Sequence, residues 1–325
     1  MNEKASRRRL EFVTRWRTRI ADFLFPEDDG DWLAILRIGL GLEVVLYSLA
    51  ALPDWRTMFG RSGTGFLNRE FTEAVFSIQN PLVPRIGWFV TFGEKIGLSE
   101  NATLTLLWTL FFAAGCLLIA GLLSRSAAIV AWLLHLCAAK SAEYLSYGVD
   151  NFLTIGLFYL MICPLPGSWA LDRKLWRAVP ANSELLGFFR RVLQLHLCAI
   201  YFFGGLTKCL GAGWWTGDSM WRALIRPPFD LIASQTLIQW QPLLLVLGIG
   251  VCVLETAFPV FIWPKATRSI WLSGIIAMHI GIAVTMGLYL FSLVMIVLNL
   301  AAFGPSMLRL RPSAPADSQA VNVAI

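Results

Sequence analysis

The sequence predicts an all-α fold, a polytopic membrane helical bundle of about eight transmembrane helices. Of its 325 residues, 57% are hydrophobic and only 15% carry a charge, and the mean hydropathy is +0.63. Apolar runs long enough to cross a hydrocarbon core of ~30 Å recur along the chain. This composition excludes an ordinary soluble domain. The net charge of +6 does not indicate nucleic-acid binding, because the arginines gather at the predicted membrane edges.

Eight predicted spans follow one another along the chain. The last apolar stretch, residues 269–303, would measure about 50 Å as one helix, so we divide it into two spans at Met286, Gly287 and Leu288. Ser124 and Arg125 form a predicted tight turn between the second and third spans. The spans are residues 32–52, 103–123, 126–147, 151–163 (extended forward by 148–150), 185–208, 242–263 and the two parts of 269–303.

The charge distribution predicts that both termini lie on the inner side of the membrane. With this N-in/C-in topology, the inner segments collect 17 Lys and Arg residues and the outer segments collect seven. Basic residues favour the cytoplasmic side of a membrane. We therefore expect a multi-pass protein of the cell membrane.

The regions outside the spans are of three kinds. Residues 1–27 alternate arginines with apolar side chains, which predicts a basic amphipathic segment on the anionic inner leaflet; a disordered tail leading into an ordinary anchor is the alternative. Residues 53–100 form a long loop with a predicted surface helix at 86–96, and a loop of this length is functional or packs as a lid. Residues 306–325 are predicted to be a disordered tail after a membrane domain at 28–305.

The six cysteines predict neither a disulfide framework nor a metal site. Five of them lie in apolar runs, and the sequence contains no CxxC or His-x-x-x-His spacing. We expect all six to be reduced and no metal to be bound.

Lys208 ends the fifth span, in the stretch that we expect to carry the chemistry. Tyr201, Gly204 and Lys208 fall on one helical stripe at spacing i, i+3 and i+7, a small and polar face suited to other helices or a cavity. A lysine in a partly dry site loses its proton readily and can act as a base. The alternative is snorkelling, with the ammonium at the headgroups and Trp214 in the aromatic belt.

Other polar residues can be sorted by their predicted depth. Residues expected on the outer side near Lys208 are Glu143, Asp150 and Asn151, with His279 beneath them. Carboxylates beside a lysine are what a tuned proton acceptor needs. The alternatives are that Asp150 only caps its helix and that His279 only packs.

Two charge pairs are predicted to be structural. Arg37 and Glu255 both lie in apolar spans, toward the inner half of the membrane, and are expected to form an interhelical ion pair. Lys140 and Glu143 lie at i and i+3 and can pair locally.

Two motifs carry a resemblance to a known family. The first comprises Tyr201-Phe202, Gly205, Lys208, Trp214, Gly217 and Ser219-Met220. The second comprises Asp150-Asn151 and the later Ser168-Trp169-Ala170-Leu171-Asp172. With them, most of residues 30–305 resembles the horizontally transferred transmembrane (HTTM) domain, the membrane part of vitamin K-dependent gamma-carboxylases.

The resemblance implies roles for several residues. In the carboxylases the lysine of the first motif is the base that deprotonates vitamin K hydroquinone, a role that would fall on Lys208. The catalytic set is then Lys208, Asp150, Asn151 and His279. The substrate-binding set is Tyr201, Gly204, Glu143 and Trp214. The implied cofactor is a reduced naphthoquinone of the vitamin K type.

The sequence also departs from the carboxylases. It has no counterpart of their large lumenal region, and it has Asp150-Asn151 where a catalytic histidine is expected, so glutamate carboxylation itself is not expected. A quinone-using enzyme is the favoured hypothesis. A non-catalytic maturation or assembly factor for a secreted peptide or soluble partner protein, as in stand-alone membrane proteins that mature a sporulation-delaying toxin, is the second. A transporter or lipid-binding protein is the third; membrane lipid is a partner in all three.

Overall fold

The computed structural model describes residues 3–61, 68–176 and 182–305, and every regular element in these ranges is a helix. A short 3-10 helix, Glu143–Leu145, precedes α8. The α-helices are α1 (Glu3–Leu24), α2 (Asp31–Ala51), α3 (Trp55–Phe59), α4 (Arg69–Gln79), α5 (Ile86–Lys95), α6 (Glu100–Ala120), α7 (Ser124–Ser141), α8 (Gly148–Ile162), α9 (Leu171–Leu175), α10 (Ser183–Cys209), α11 (Ala212–Thr216), α12 (Asp218–Ile225), α13 (Ser234–Gln239), α14 (Gln241–Thr256), α15 (Phe258–Phe261), α16 (Lys265–Met286) and α17 (Tyr289–Phe303).

Each predicted span overlaps a helix of the structure, and the span predicted at 242–263 is divided between α14 and α15. Four helices of the described chain, α2, α6, α10 and α16, are long and apolar enough to cross a membrane, and α8, α14 and α17 are shorter apolar helices. The remaining span corresponds to α7. That helix ends at Ser141 rather than near residue 147, because the chain turns through the 3-10 helix to bring Tyr147 to the start of α8.

The predicted division of residues 269–303 is confirmed. Helix α16 ends at Met286 and α17 begins at Tyr289. Between them Gly287 has a φ of 69°, the left-handed conformation that glycine adopts without steric cost. The chain therefore reverses direction at a glycine, the residue type best suited to this left-handed conformation.

Helix α2 lies at the centre of the bundle and packs against α6, α8 and α17. The α2–α6 contact depends on glycine, because a Cβ added at Gly41 would lie 3.0 Å from the carbonyl oxygen of Gly115 and 2.9 Å from the nitrogen of Ile119. Small residues allow helix backbones to approach closely in membranes, where packing rather than hydrophobicity drives association.

One end of the bundle, here named the basic end, is tied together by arginines. Arg190 donates from Nη1 to Asp28 Oδ2 at 2.7 Å and from Nε to the carbonyl of Ala302 at 2.9 Å. Arg191 donates to the carbonyl of Phe23 at 2.8 Å, and its guanidinium lies 4.3 Å from the Phe23 ring centroid. These contacts join the end of α1 to α10 and α17.

Residues 68–100 pack against the opposite end, here named the loop end. Glu73 accepts from the hydroxyl of Ser141 at 2.6 Å, and Arg69 donates to Glu100 at 3.1 Å. The helix predicted at 86–96 is confirmed as α5, although its face bearing Ile86 and Val90 is buried rather than lying on the surface. This segment therefore covers the ends of α6 and α7.

The segment between α10 and α14 packs against the bundle instead of extending away from it. Helices α11 and α12 pack along α14. A Cβ added at Gly248 would lie 2.6 Å from the carbonyl oxygen of Trp214, and one added at Gly217 would lie 2.9 Å from the nitrogen of Leu245. This segment therefore contributes to the packing around α14.

The N-terminal segment is helical from Glu3 to Leu24. Phe12, Trp16, Ile20 and Phe23 are exposed and recur at helical spacing. The basic amphipathic segment at 1–27 and the domain limits at 28–305 remain predictions. The tail predicted at 306–325 lies outside the described residues.

Candidate functional site

Lys208 pairs with Glu255, which the sequence analysis had placed elsewhere. The ammonium Nζ donates to Glu255 Oε2 at 2.5 Å. The side chain of Glu255 is only 8% exposed, whereas that of Lys208 is 27% exposed. A charge-assisted hydrogen bond joins a buried carboxylate to a lysine that is still reachable from outside the bundle.

Two adjacent glycines allow this contact. A Cβ added at Gly205 would lie 2.5 Å from the nitrogen and Oγ1 of Thr256, so α10 and α14 touch there only because the side chain is absent. At Gly204 an added Cβ would lie 3.5 Å from Glu255 Oε2 and 3.8 Å from Lys208 Nζ. Gly205 therefore sets the approach of the helices, and Gly204 borders the ion pair.

Trp214 covers the ammonium of Lys208. The distance from Nζ to the ring centroid is 5.6 Å, within the range of a cation–π interaction. Cys209 Sγ lies 3.4 Å from Thr256 Oγ1 on the same α10–α14 contact. An aromatic ring, an ammonium and a carboxylate thus lie together in one polar site between α10, α11 and α14.

A chain of buried polar side chains lies next to this pair. Tyr201 Oη lies 3.0 Å from His279 Nε2, and Asn299 Nδ2 donates to Tyr201 Oη at 2.6 Å. Lys208 and Glu255 are close enough to act electrostatically on His279 and Tyr201 respectively. His279 Nδ1 and Asn299 Oδ1 are buried and have no hydrogen-bond partner among the described residues.

The structure brings five of the predicted site residues together and places three elsewhere. Asp150 accepts from Tyr47 Oη at 2.8 Å and from the backbone nitrogen of Tyr147 at 2.9 Å. Glu143 accepts from Lys140 at 2.8 Å, as predicted. Asn151 is exposed on α8. The residues near the ion pair are Tyr201, Gly204, Lys208, Trp214 and His279.

The predicted ion pair between Arg37 and Glu255 is wrong. Arg37 instead donates to carbonyl groups of the backbone, among them Trp169 at 3.0 Å and Ile119 at 3.1 Å. Its other acceptors are the carbonyls of Leu118 and Ser168. The guanidinium therefore satisfies the last turn of α6, whose final carbonyls have no partner within the helix.

The second sequence motif builds the turn beside Arg37. Asp172 accepts from the backbone nitrogens of Leu123 at 2.7 Å and Ser124 at 2.8 Å, which caps the start of α7. The backbone nitrogen of Asp172 donates to the carbonyl of Gly121 at 2.9 Å. These contacts give Asp172 a structural role, in a turn that contacts Arg37 rather than Lys208.

Sequence reasoning missed two residues of the site. Asn299 lies in the apolar α17 and is fully buried, and a polar amide inside an apolar span is a signal that could have identified it. Thr256 ends α14 beside Glu255, where neither spacing nor composition distinguishes it from an ordinary helix-terminal residue.

Within the described chain no group of three or more His, Cys, Asp or Glu side chains is arranged to hold a metal ion. All six cysteines are free thiols, four of them buried. The reactive groups in and beside the Lys208–Glu255 pair are an amine, a carboxylate, a phenol, an imidazole and the thiol of Cys209.

The apolar helices and the comparison with known families define the class of the protein: it is an integral membrane protein. The HTTM domain model matches residues 25–306, which is most of the chain. The chain belongs to the HTTM domain family, as the two motifs indicated. No curated protein and no solved structure matches it.

Proposed function

We propose that the chain is a multi-pass enzyme of the cell membrane in which Lys208, paired with Glu255, is the general base. The 2.5 Å contact between the two side chains carries this proposal. The eight helices cross the membrane with both termini inside. Lys208, whose side chain is 27% exposed, is reached from the outer side, past Trp214.

The ion pair explains how an ammonium group can become a base. Two opposite charges in a low-dielectric environment cost several kcal/mol each to desolvate, and a neutral amine beside a neutral acid avoids that cost. When the proton moves from Nζ to Glu255 Oε2, Lys208 presents a free amine while Glu255 holds the proton.

The residues around the pair suit an apolar, aromatic substrate with an acidic hydroxyl. Three exposed apolar side chains lie along α10 just before Lys208: Phe202, Phe203 and Leu206. An apolar molecule dissolved in lipid can approach Lys208 along them. Trp214 would hold the ring by stacking. A bound reduced naphthoquinone would supply the acidic hydroxyl and two electrons, with O2 as the electron acceptor.

The chain's own groups have distinct parts in this reaction. Lys208 takes the hydroxyl proton, and Glu255 holds the proton displaced from the lysine. Tyr201 and His279 keep the pocket polar beneath the pair, and Trp214 excludes water above it. Preorganised groups of this kind act most strongly where water is absent.

The direct test is oxidation of a reduced naphthoquinone by the purified protein in liposomes, followed as quinone formation under O2. The wild type should be active, and Glu255→Gln should lose ~10²–10⁴-fold in rate, because an amide cannot hold the lysine's proton. Glu100→Gln, at another carboxylate bound to a basic residue, should keep the wild-type rate.

Failure of the wild type to oxidise any reduced naphthoquinone would remove the enzyme proposal. Copurification of a secreted peptide or a soluble partner protein with this inactive protein would instead support the maturation or assembly factor. Uptake of a solute or lipid into the liposomes would support the transporter.

A further inference from the structure

A second polar centre lies in the bundle, built from α2, α7 and α8 rather than from the helices around Lys208. Its residues are Glu43 and Tyr47 on α2, His135 on α7 and Asp150 on α8. Glu43 and His135 are fully buried and Asp150 is 5% exposed. None of these groups contacts the Lys208–Glu255 pair in the hydrogen bonds or ion pairs described above.

Glu43 is the anomalous member of this centre. Both of its carboxyl oxygens are buried, and neither has a hydrogen-bond partner among the described residues. An ionised carboxylate without a partner in a low-dielectric interior is so costly that the group takes up a proton instead. Glu43 lies one helical turn before Tyr47 on the same face of α2.

The other members form a continuous path toward the surface. Tyr47 Oη donates to Asp150 Oδ1 at 2.8 Å, and Asp150 Oδ2 accepts from the backbone nitrogen of Tyr147 at 2.9 Å. Tyr147 is 41% exposed at the loop end. The path therefore runs from the interior of α2 to the first turn of α8, which meets solvent or headgroups.

His135 adds a second proton acceptor beside this path. Its Nδ1 lies 3.0 Å from Thr154 Oγ1. Its Nε2 lies 3.8 Å from Asp150 Oδ1, beyond hydrogen-bond distance, and has no other partner in the described chain. With Nδ1 donating to Thr154 Oγ1, a further proton on Nε2 would place a positive charge facing the Asp150 carboxylate.

We propose that Glu43, Tyr47, His135 and Asp150 form a second proton-binding centre, in which Glu43 is a neutral acid that exchanges its proton with the loop end through Tyr47 and Asp150. In one transfer the Tyr47 hydroxyl proton passes to Asp150, and the Glu43 carboxyl, which has no hydrogen-bond partner among the described residues, turns toward Tyr47 and replaces that proton. Asp150 becomes neutral as Glu43 becomes charged, so the total charge of the centre is conserved. Asp150 then releases its proton beside Tyr147.

Infrared spectroscopy of the protein in liposomes tests this proposal without requiring a reagent to reach Glu43. The difference spectrum between wild type and Glu43→Gln at neutral pH should contain the carbonyl band of a protonated carboxylic acid. Glu94→Gln, at an exposed carboxylate paired with Arg61, should lose only carboxylate bands. Loss of a carboxylate band in Glu43→Gln would overturn the proposal.

Hydrogen–deuterium exchange tests the path. After transfer to D2O the Glu43 acid band should shift in the folded wild type, and this shift should be slowed in Tyr47→Phe and in the isosteric Asp150→Asn. Tyr159→Phe, which removes another tyrosine–histidine contact, should leave the rate unchanged. A band that never exchanges, or one that exchanges equally fast in Tyr47→Phe and Asp150→Asn, would contradict the path. Neither result depends on Lys208, so this test is independent of the enzyme proposal.

Discussion

At the residue scale, the contact between Lys208 and Glu255 depends on the glycines at 204 and 205 as much as on the two charges. Lys208 reaches Glu255 because α10 lies against α14 at Gly205, where an added methyl group would collide with the backbone of Thr256. A lysine at the end of a helix could equally well anchor in headgroups. The proposal that Lys208 is a base rests on this glycine, because it brings a buried carboxylate within hydrogen-bond distance of the ammonium.

Gly205→Ala should therefore destabilise the protein and separate the ion pair. Forcing a methyl group into a packed contact costs about 1–3 kcal/mol, so the Tm in detergent should fall and the activity should fall with it. Gly250→Ala on α14, where nothing lies within 4 Å of the added Cβ, should leave the Tm unchanged or raise it. Equal Tm values for the two variants would show that α10 and α14 do not meet as described.

At the element scale, the ends of the helices are held by side chains from distant segments. Arg37 on α2 satisfies carbonyls at the end of α6 and in the turn before α9, and Asp172 caps α7. Helix termini leave four unpaired backbone groups each, and in lipid these groups must find partners inside the protein. The arrangement fixes α2, α6 and α7 to one another near the basic end.

Arg37→Lys should lower stability even though the charge is retained. A single ammonium group cannot donate to all the backbone carbonyls that the planar guanidinium reaches. Each buried carbonyl left without a donor costs about 1–3 kcal/mol. The measurement is the free energy of unfolding, or the Tm, of the single and double variants.

A double-mutant cycle gives this prediction its control. Arg37→Lys combined with Glu255→Gln should be additive within about 0.5 kcal/mol, because the two residues share no contact. Arg37→Lys combined with Asp172→Asn should depart from additivity, since Asp172 acts electrostatically on Arg37. A measurable coupling energy between Arg37 and Glu255 would contradict the structure, because it would indicate that the two side chains interact as the sequence predicted.

At the scale of the whole molecule, the chain places two polar centres in one apolar bundle. Lys208 and Glu255 lie between α10 and α14, whereas Glu43 and Asp150 lie on α2 and α8. Intramembrane ionisable groups are costly, and they normally mark functional positions. Both centres lie within the part of the chain that the HTTM domain covers.

The proposed orientation can be measured directly. In a cysteine-free background, single cysteines replacing the exposed residues Arg222 and Lys265 should be labelled by an impermeant thiol reagent from opposite sides of the membrane. The charge asymmetry places the loop before α14 outside and the start of α16 inside. Labelling from the same side would remove the eight-span topology.

The sequence predicts those structural features that depend on a single segment of the chain. The reversal at Gly287 follows from the excessive length of one apolar stretch, and the grouping of Tyr201, Gly204 and Lys208 follows from the helical repeat. Both are properties of one segment, and both appear in the structure.

The partners of buried charges are not local, and their prediction was wrong. Counting residues from the membrane edge placed Glu255 in the inner half and Lys208 in the outer third. Residues 212–225 instead fold alongside α14, so that the C-terminal end of α14 lies level with Lys208. Nothing in a single sequence distinguishes a segment that folds back into a bundle from one that remains at the membrane surface.

The most direct measurement of the central claim compares Lys208→Arg with Lys140→Arg in the reduced-naphthoquinone assay, with the amount of folded membrane protein determined for both. Each lysine donates to a glutamate, at 2.5 Å and 2.8 Å respectively, so the variants are matched. Arginine keeps the charge but cannot lose its proton. Lys208→Arg should fold at normal levels and lose ~10²–10⁴-fold in rate, while Lys140→Arg remains active. Full activity of Lys208→Arg would contradict the claim, because it would show that the residue needs only its positive charge.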